Sequence, residues 1–234
     1  MYWRLGVLAA AINTDSLTED RPSLLEATAV TAAYSAFLDL ILMRKLTLGP
    51  VLQEVRLAAI LRVSRTPLRE ALRRLEGEGL VGRNGGRSLI VRSISVRDYI
   101  ETLHVRRLLE TEAAYLAAGR IDCDLIAELC ERVQAMMETG APTPGDHCTL
   151  DDDIHGAIAE ACGNDLLAAN VQTLRRKTHL FNLKRMPNRF LPGCREHLVI
   201  LDAIGQGDSQ AAREAMAAHL DNVKASILKI LTEL

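Results

Sequence analysis

Asp151 and His155 stand four residues apart in a stretch of helical apolar spacing, so their side chains leave one face together. His197 shares a helical face with Leu201 and Ile204, and His219 lines up with Met216, Val223 and Ile227. All three imidazoles therefore fall on apolar faces that should turn inward. A single inward histidine is ordinarily a core residue with a hydrogen-bond partner. Three of them, with a carboxylate one turn away, also suit a divalent transition metal, whose ligands are neutral imidazole and carboxylate. Spacing alone leaves both readings open, a metal centre or unrelated buried polar groups, because it does not show convergence.

A second set could do different chemistry. In the segment 65–78, Leu68, Ala71, Leu72 and Leu75 form an apolar stripe at 100° per residue, and Arg65, Arg69 and Arg73 run beside it at i, i+4, i+8. Ser64 or Thr66 can cap this helix, and Pro67 is tolerated in its first turn. Free N–H groups at a helix N-terminus receive phosphate, and arginine can take guanine O6 and N7 with two bonds. The alternative is a solvated face with arginine there for solubility.

The elements that must hold these residues follow from periodicity. Residues 27–46, 53–61 and 65–78 read as three helices. Two short apolar runs, Leu80-Val81 and Leu89-Ile90-Val91, flank Asn84-Gly85-Gly86 and read as a β-hairpin. Three helices followed by a hairpin is the order of a winged helix-turn-helix. Beyond it, Ser95 and Asp98 resemble a capping box that opens a helix to about Gly119. Further helices fit 124–138, 148–162, 165–184, 194–205 and 209–233. Gly140, Gly163 and Gly205 serve as expected stops, and Asp208-Ser209 as an N-cap. The expected architecture is mainly α: an N-terminal extension over 1–27, a winged helix-turn-helix over 28–93, and an all-helical bundle over 94–234.

Composition agrees with two joined modules. The 234 residues are 48% hydrophobic and carry a net charge of −2. Yet residues 44–97 hold twelve Arg/Lys against four Asp/Glu, a surplus of eight that leaves the remainder at −10. A basic block beside an acidic remainder suggests an anion-binding module joined to something with another task. Five cysteines without a CxxC pair point to a reducing cytoplasm rather than a disulfide framework. The opening MYWRLGVLAAAINT imitates a signal peptide weakly, and a flexible extension or an overcalled start is the better reading. No apolar run reaches membrane-spanning length; the stretch 37–43 is broken by Asp39.

The segment VSRTPLREALRRLEGEGLV, with Leu52, Glu54, Leu57 and Ala58 before it, resembles the recognition-helix signature of the GntR family of regulators over about residues 28–92. The resemblance implies that Arg65 and Arg69 contact operator bases or phosphates. It further implies that Ser64 and Thr66 hold backbone phosphates and that Gly86-Arg87 sit in the wing near the minor groove. Arg56, on the second helix, is a further candidate. Three departures stand out: Leu48-Gly49 where Pro-Gly is usual, Arg62 where the turn usually has glycine, and a wing tip of Gly85-Gly86-Arg87-Ser88. A positive φ at Arg62 would store strain.

Residues 98–234 resemble the FCD domain, the sensor half of the FadR-type branch of that family. The similarity lies in VRRLLE (105–110), DDDIHGAI (151–158), EHLVILDAI (196–204) and AMAAHL (215–220). The resemblance implies metal ligation by Asp151, His155, His197 and His219, with zinc first and nickel or manganese as alternatives. His104, His147 and His179 match no ligand position. The resemblance also places Arg106 at the ligand cavity, where its planar fork would pair an effector carboxylate; the competing reading is an ion pair with Glu110 at i+4. Arg175 and Arg176 carry the same idea further along the chain. The implied function is a dimeric repressor, released from operator double-stranded DNA by a small organic acid, with no membrane partner. An acyl-CoA sensor, a metal-dependent hydrolase with Glu160 as base, and a regulator with a purely structural metal are the alternatives.

Overall fold

The protein is described here from a computed structural model, which covers residues 24–42, 52–84, 88–92, 94–139, 144–178, 180 and 189–232. The chain runs α1 (Leu24–Leu42), α2 (Glu54–Leu61), α3 (Arg65–Gly77), β1 (Val81–Asn84), β2 (Ser88–Val91), α4 (Val96–Ala117), α5 (Cys123–Thr139), α6 (Pro144–Ala161), α7 (Asp165–Thr178), α8 (Phe190–Gly205) and α9 (Ser209–Thr232). The expected mainly α architecture, a winged helix-turn-helix and a helical bundle, is present.

In the first unit, Leu68, Ala71, Leu72 and Leu75 are the buried residues of α3, the stripe its spacing predicts. They pack with Ala33, Phe37 and Ile41 of α1, Leu57 of α2, and Leu80, Val81, Leu89 and Val91 of the hairpin. Fully burying a side chain such as Phe37 or Leu75 contributes about 1.5–3 kcal/mol. The strands pair antiparallel with Val81 opposite Val91 and Asn84 opposite Ser88. The N–H of Leu52 donates to Leu89 O at 2.7 Å, so the segment before α2 extends the hairpin's hydrogen bonding. Between α2 and α3 the backbone reverses through Arg62, at φ 54 and ψ 39. This is the left-handed conformation that glycine adopts without strain.

Elsewhere the ends differ from the periodic reading. Ser64 occupies the N-cap of α3, but its side chain makes no capping hydrogen bond. The expected stop at Gly205 is displaced: Gly205 is the last residue of α8, and Gly207, at φ +71, makes the left-handed turn. Gly163 makes the same turn after α6, at φ +73, as expected. Helix α6 begins at Pro144 rather than near 148, since proline at a first helical position loses no hydrogen bond. Helix α8 begins at Phe190 rather than 194; α7 is described to Thr178, and its expected end at 184 lies outside the described residues. Gly86 and Arg87 of the wing, Gly140, His179 and the opening residues lie outside the described residues.

The second unit is organised on α4, which packs against α6, α7, α8 and α9. Its start is the anticipated capping box: the Asp98 N–H donates to Ser95 Oγ at 3.1 Å and the Ser95 N–H returns to Asp98 Oδ2 at 3.2 Å. The buried face of α4 reads Tyr99, Leu103, Arg106, Glu110, Ala113, Ala117, alternating steps of four and three. Two charged residues occupy the middle of that otherwise apolar stripe, which places them inside the bundle. Asp208 caps α9 by accepting from the Ala211 N–H at 2.9 Å.

Candidate metal centre and nucleic-acid interface

Helices α6, α8 and α9 bring Asp151, His155, His197 and His219 together, each offering a ligand atom within 4.8 Å of the others. His155, His197 and His219 are only 1%, 3% and 4% exposed, so the inward orientation read from the apolar faces holds. Asp151 Oδ1 lies 3.9 Å from His155 Nε2 and 3.3 Å from His197 Nε2. Neither of these buried Nε2 atoms has a hydrogen-bond partner among the described residues. A buried ring nitrogen left unsatisfied is unfavourable by about 1–3 kcal/mol, and two aimed at one carboxylate fit a cation.

Two carboxylates outside the sequence-based set hold the rings. Glu110 Oε2 meets His155 Nδ1 in a short contact, and Glu196 Oε2 meets His219 Nδ1 at 2.9 Å. A carboxylate at Nδ1 fixes that nitrogen as the donor and leaves Nε2 as the ligating atom. Glu110 is itself held by Arg106, whose Nε donates to Oε1 at 2.5 Å. Glu196 is held by Arg189 and by Asn222, whose Nδ2 donates at 2.9 Å. The local signals were the charged pair in the α4 stripe and the carboxylate next to His197. Neither shows by itself which imidazole it would reach.

The electrostatics agree with a ligand set. Burial pushes His155 down to about 4, with Arg175 adding to the effect, and pushes His219 down to about 3. Both rings are therefore neutral at pH 7, the form that binds a metal. Burial would raise Asp151, but Arg175 and then the histidines outweigh it and hold the carboxyl well below its ordinary range. Glu196, likewise opposed by burial, is drawn down to about 2 by His219 and Arg189. The four side chains thus fit a divalent cation. When bound, it would supply a Lewis-acid centre joining three helices.

Arg106 and Arg175 are buried beside this set, 5% and 4% exposed. Arg106 makes the i+4 ion pair with Glu110, the competing reading at the sequence level, and its Nη1 donates to Thr178 Oγ1 at 3.2 Å. Arg175 Nη2 donates to Asp151 Oδ2 at 2.6 Å and to Asp152 Oδ1 at 2.7 Å. Its buried Nη1 has no hydrogen-bond partner among the described residues and lies 3.7 Å from Glu110 Oε2. Arg176 faces elsewhere, with Nε 3.3 Å from Glu78. His104 is exposed, and Glu160, the base a hydrolase would need, is exposed on α6.

In the first unit, Arg56, Ser64, Arg65, Thr66 and Arg69 are all exposed. Arg69 Nε donates to Glu54 Oε2 at 2.9 Å, bracing α3 on α2 with the arginine 58% exposed. Arg73 pairs with Glu70, and Arg74 with Glu78 while its guanidinium lies 4.0 Å over the Tyr34 ring. No helix among the described residues is long and apolar enough to cross a membrane.

A winged helix-turn-helix presenting arginines, joined to a helical bundle enclosing buried histidines, has the build of a DNA-binding transcriptional regulator. Residues 30–91 match the gntR family of bacterial regulatory proteins and residues 101–222 match the FCD domain. The chain belongs to the GntR family, in the group that carries an FCD domain. It is 32% identical to the HTH-type transcriptional regulator LutR of Bacillus subtilis over 197 residues, 72% of this chain and 86% of that protein. Escherichia coli McbR/YncC shares the fold with a TM-score of 0.74 at 21% identity, covering 86% of this chain and 97% of that one. The metal-free FCD domain of TM0439 shares it with a TM-score of 0.52 at 20% identity, covering 61% of this chain and 99% of that one.

Proposed function

We propose that this regulator is a cytoplasmic, ligand-responsive repressor whose helical domain, from about residue 94 onward, holds a divalent metal and a small carboxylate effector. The observation that carries the reading is the juxtaposition of four convergent ligand atoms with the buried Nη1 of Arg175, which has no hydrogen-bond partner among the described residues. Asp151, His155, His197 and His219 are the metal ligands. Zinc is the first expectation for such a set, with nickel and manganese as alternatives. An effector carboxylate would take a donor of Arg175, in competition with Asp152, and a position near Arg106. The planar guanidinium suits that anion.

On the DNA side, Arg65 and Arg69 read the operator. Ser64 and Thr66 hold phosphates, Arg56 supports them from α2, and Gly86 and Arg87 belong to the wing. Residues 28–93 form this reading head. The protein acts as a homodimer, because two recognition helices match the two halves of a pseudo-palindromic operator.

The test is a thermal-shift screen of small organic acids on zinc-loaded protein, followed by operator release with each hit. A carboxylate that stabilises the protein and releases DNA, and that fails to do so after chelation, supports the reading. Stoichiometric zinc with an effector response indifferent to chelation would make the metal structural. No zinc, nickel or manganese uptake by purified protein would remove the ligand assignment. Sedimentation of a persistent monomer, with a single protected half-site, would remove the dimer.

A further inference from the structure

The last turn of α7 touches both halves of the molecule. Arg175 and Arg176 are consecutive, so about 100° of helix rotation separates them and sends them to different neighbours. Arg175 turns to Asp151 and Asp152 at the candidate centre. Arg176 Nε lies 3.3 Å from Glu78 Oε2, with the two side chains 21% and 17% exposed. Thr178 closes the turn: its hydroxyl donates to Arg175 O at 2.6 Å and accepts from Arg106 at 3.2 Å.

Glu78 is where the recognition helix ends. It is the C-cap residue of α3, and its N–H donates back to Arg74 O at 2.9 Å. Its carboxylate also takes the Tyr34 hydroxyl at 2.6 Å and Arg74 Nε at 3.2 Å. One side chain therefore joins α1, α3 and α7. Two residues beyond α7, Leu180 is 1% exposed and completes the apolar core of the reading head, among Phe37, Leu75 and Leu80. Beside this joint lies a crevice of about 480 Å³, lined by Gly79, Arg92, Ile94, Thr102, Leu174 and Lys177. Among the described residues, the two domains therefore touch at this joint, through Arg176 and Glu78 and through Leu180, beside that crevice.

We propose that the last turn of α7 is the transmitting element of this regulator, with Arg176 and Glu78 as the positioning residues that carry the state of the Asp151 site to the recognition helix. The inference rests on the reading of that site as a metal centre. A change in what Asp151 binds alters its hold on Arg175. The hydrogen-bonded turn that carries Arg175 also carries Arg176 and leads to Leu180, so the base of α3 moves with it. The coupling is reciprocal: whatever factor the metal applies to operator affinity, the operator applies to metal affinity.

The test uses the full chain, zinc as the probe, and an operator selected in vitro. Operator affinity is measured on zinc-loaded and chelated protein, and zinc affinity with and without operator, for the parent, Arg176→Ala, Arg176→Lys and Glu78→Gln. The parent should show one factor in both experiments, of about 5-fold or more. In Arg176→Ala that factor should fall to about 1 while zinc affinity without DNA stays as in the parent, since Arg176 faces away from the ligands. Arg176→Lys, which keeps the charge opposite Glu78, should recover part of the factor. Glu78→Gln keeps the shape of the joint and should lose the factor even if Arg176→Ala folds poorly. The parent factor surviving in Arg176→Ala or Glu78→Gln overturns the proposal. A parent that binds zinc stoichiometrically with no factor at all overturns it too, and leaves the metal reading standing. A parent that binds no zinc overturns the metal reading, and the coupling with it.

Discussion

Arginine and carboxylate meet in both domains, under opposite conditions. In the reading head, Arg69 and Glu54 pair at 2.9 Å with the arginine 58% exposed. In the helical domain, Arg175 pairs with Asp151 at 2.6 Å while only 4% exposed. An exposed pair contributes about 0–1 kcal/mol and is easily exchanged for another anion such as phosphate. A buried pair has already lost its water, and each member depends on the other. The reading head therefore keeps its charges available, whereas the helical domain holds them in buried pairs.

The largest expected effect removes one side of the buried set. Arg175→Ala leaves Asp151, Asp152 and Glu110 without their shared cation and should destabilise the protein by about 3–5 kcal/mol in urea unfolding. Arg69→Ala should lose no more than about 1 kcal/mol in the same assay. Similar losses for the two variants would erase the contrast between the domains.

Acid should expose the same difference, by a few kcal/mol in total. Two histidines of the helical domain, His155 and His219, have folded pKa values depressed to about 4 and about 3, so the unfolded chain binds more protons at mildly acid pH. Their contribution is complete above the unfolded value of about 6.5 and is lost as pH falls from there toward 4 and 3. The depressed carboxyls of Asp151 and Glu196 add to the loss lower still. The melting temperature of chelated protein should therefore fall steadily between pH 6.5 and 4. A flat profile would contradict the buried neutral rings.

Metal removal comes next. Zinc at a hundredfold excess over its dissociation constant should stabilise the folded chain by about 2.7 kcal/mol, seen as a higher melting temperature than with chelator. His197→Ala should lose that difference, and Glu196→Gln should weaken zinc binding by about 10–100-fold through the loosened His219 ring. In the reading head, Arg65→Ala and Arg69→Ala should each weaken operator binding by about 1–3 kcal/mol with helical content intact. Salt titrations then separate base from phosphate contacts, since a lost phosphate contact lowers the salt slope by about 1. The smallest effect is at the turn. Arg62→Gly relieves a left-handed non-glycine residue and should stabilise the reading head by about 1 kcal/mol or less in thermal melts. A destabilised Arg62→Gly would mean that the exposed side chain contributes more than the backbone strain.

Much of the fold was legible because it is written in local periods. The α3 stripe, the hairpin around Asn84, the Ser95–Asp98 box and the inward faces of three histidines all follow from spacing within a few residues. The helix ends were less legible. At Gly205 and Gly207 two glycines compete for one turn, and backbone geometry chooses the second. The ligand set came from resemblance, since spacing gave only the faces.

By itself, then, the sequence determined which residues face inward, the order of the elements, and that a basic module precedes an acidic helical one. The tertiary structure alone decided that Glu110 reaches His155 across 45 residues, that Glu196 reaches His219 across 23, and that Leu180 enters the core of the other domain. The physical reason is that helical periodicity fixes direction about one axis only. Which side chains meet depends on how separate helices pack, and a buried charge settles with whichever distant partner that packing supplies.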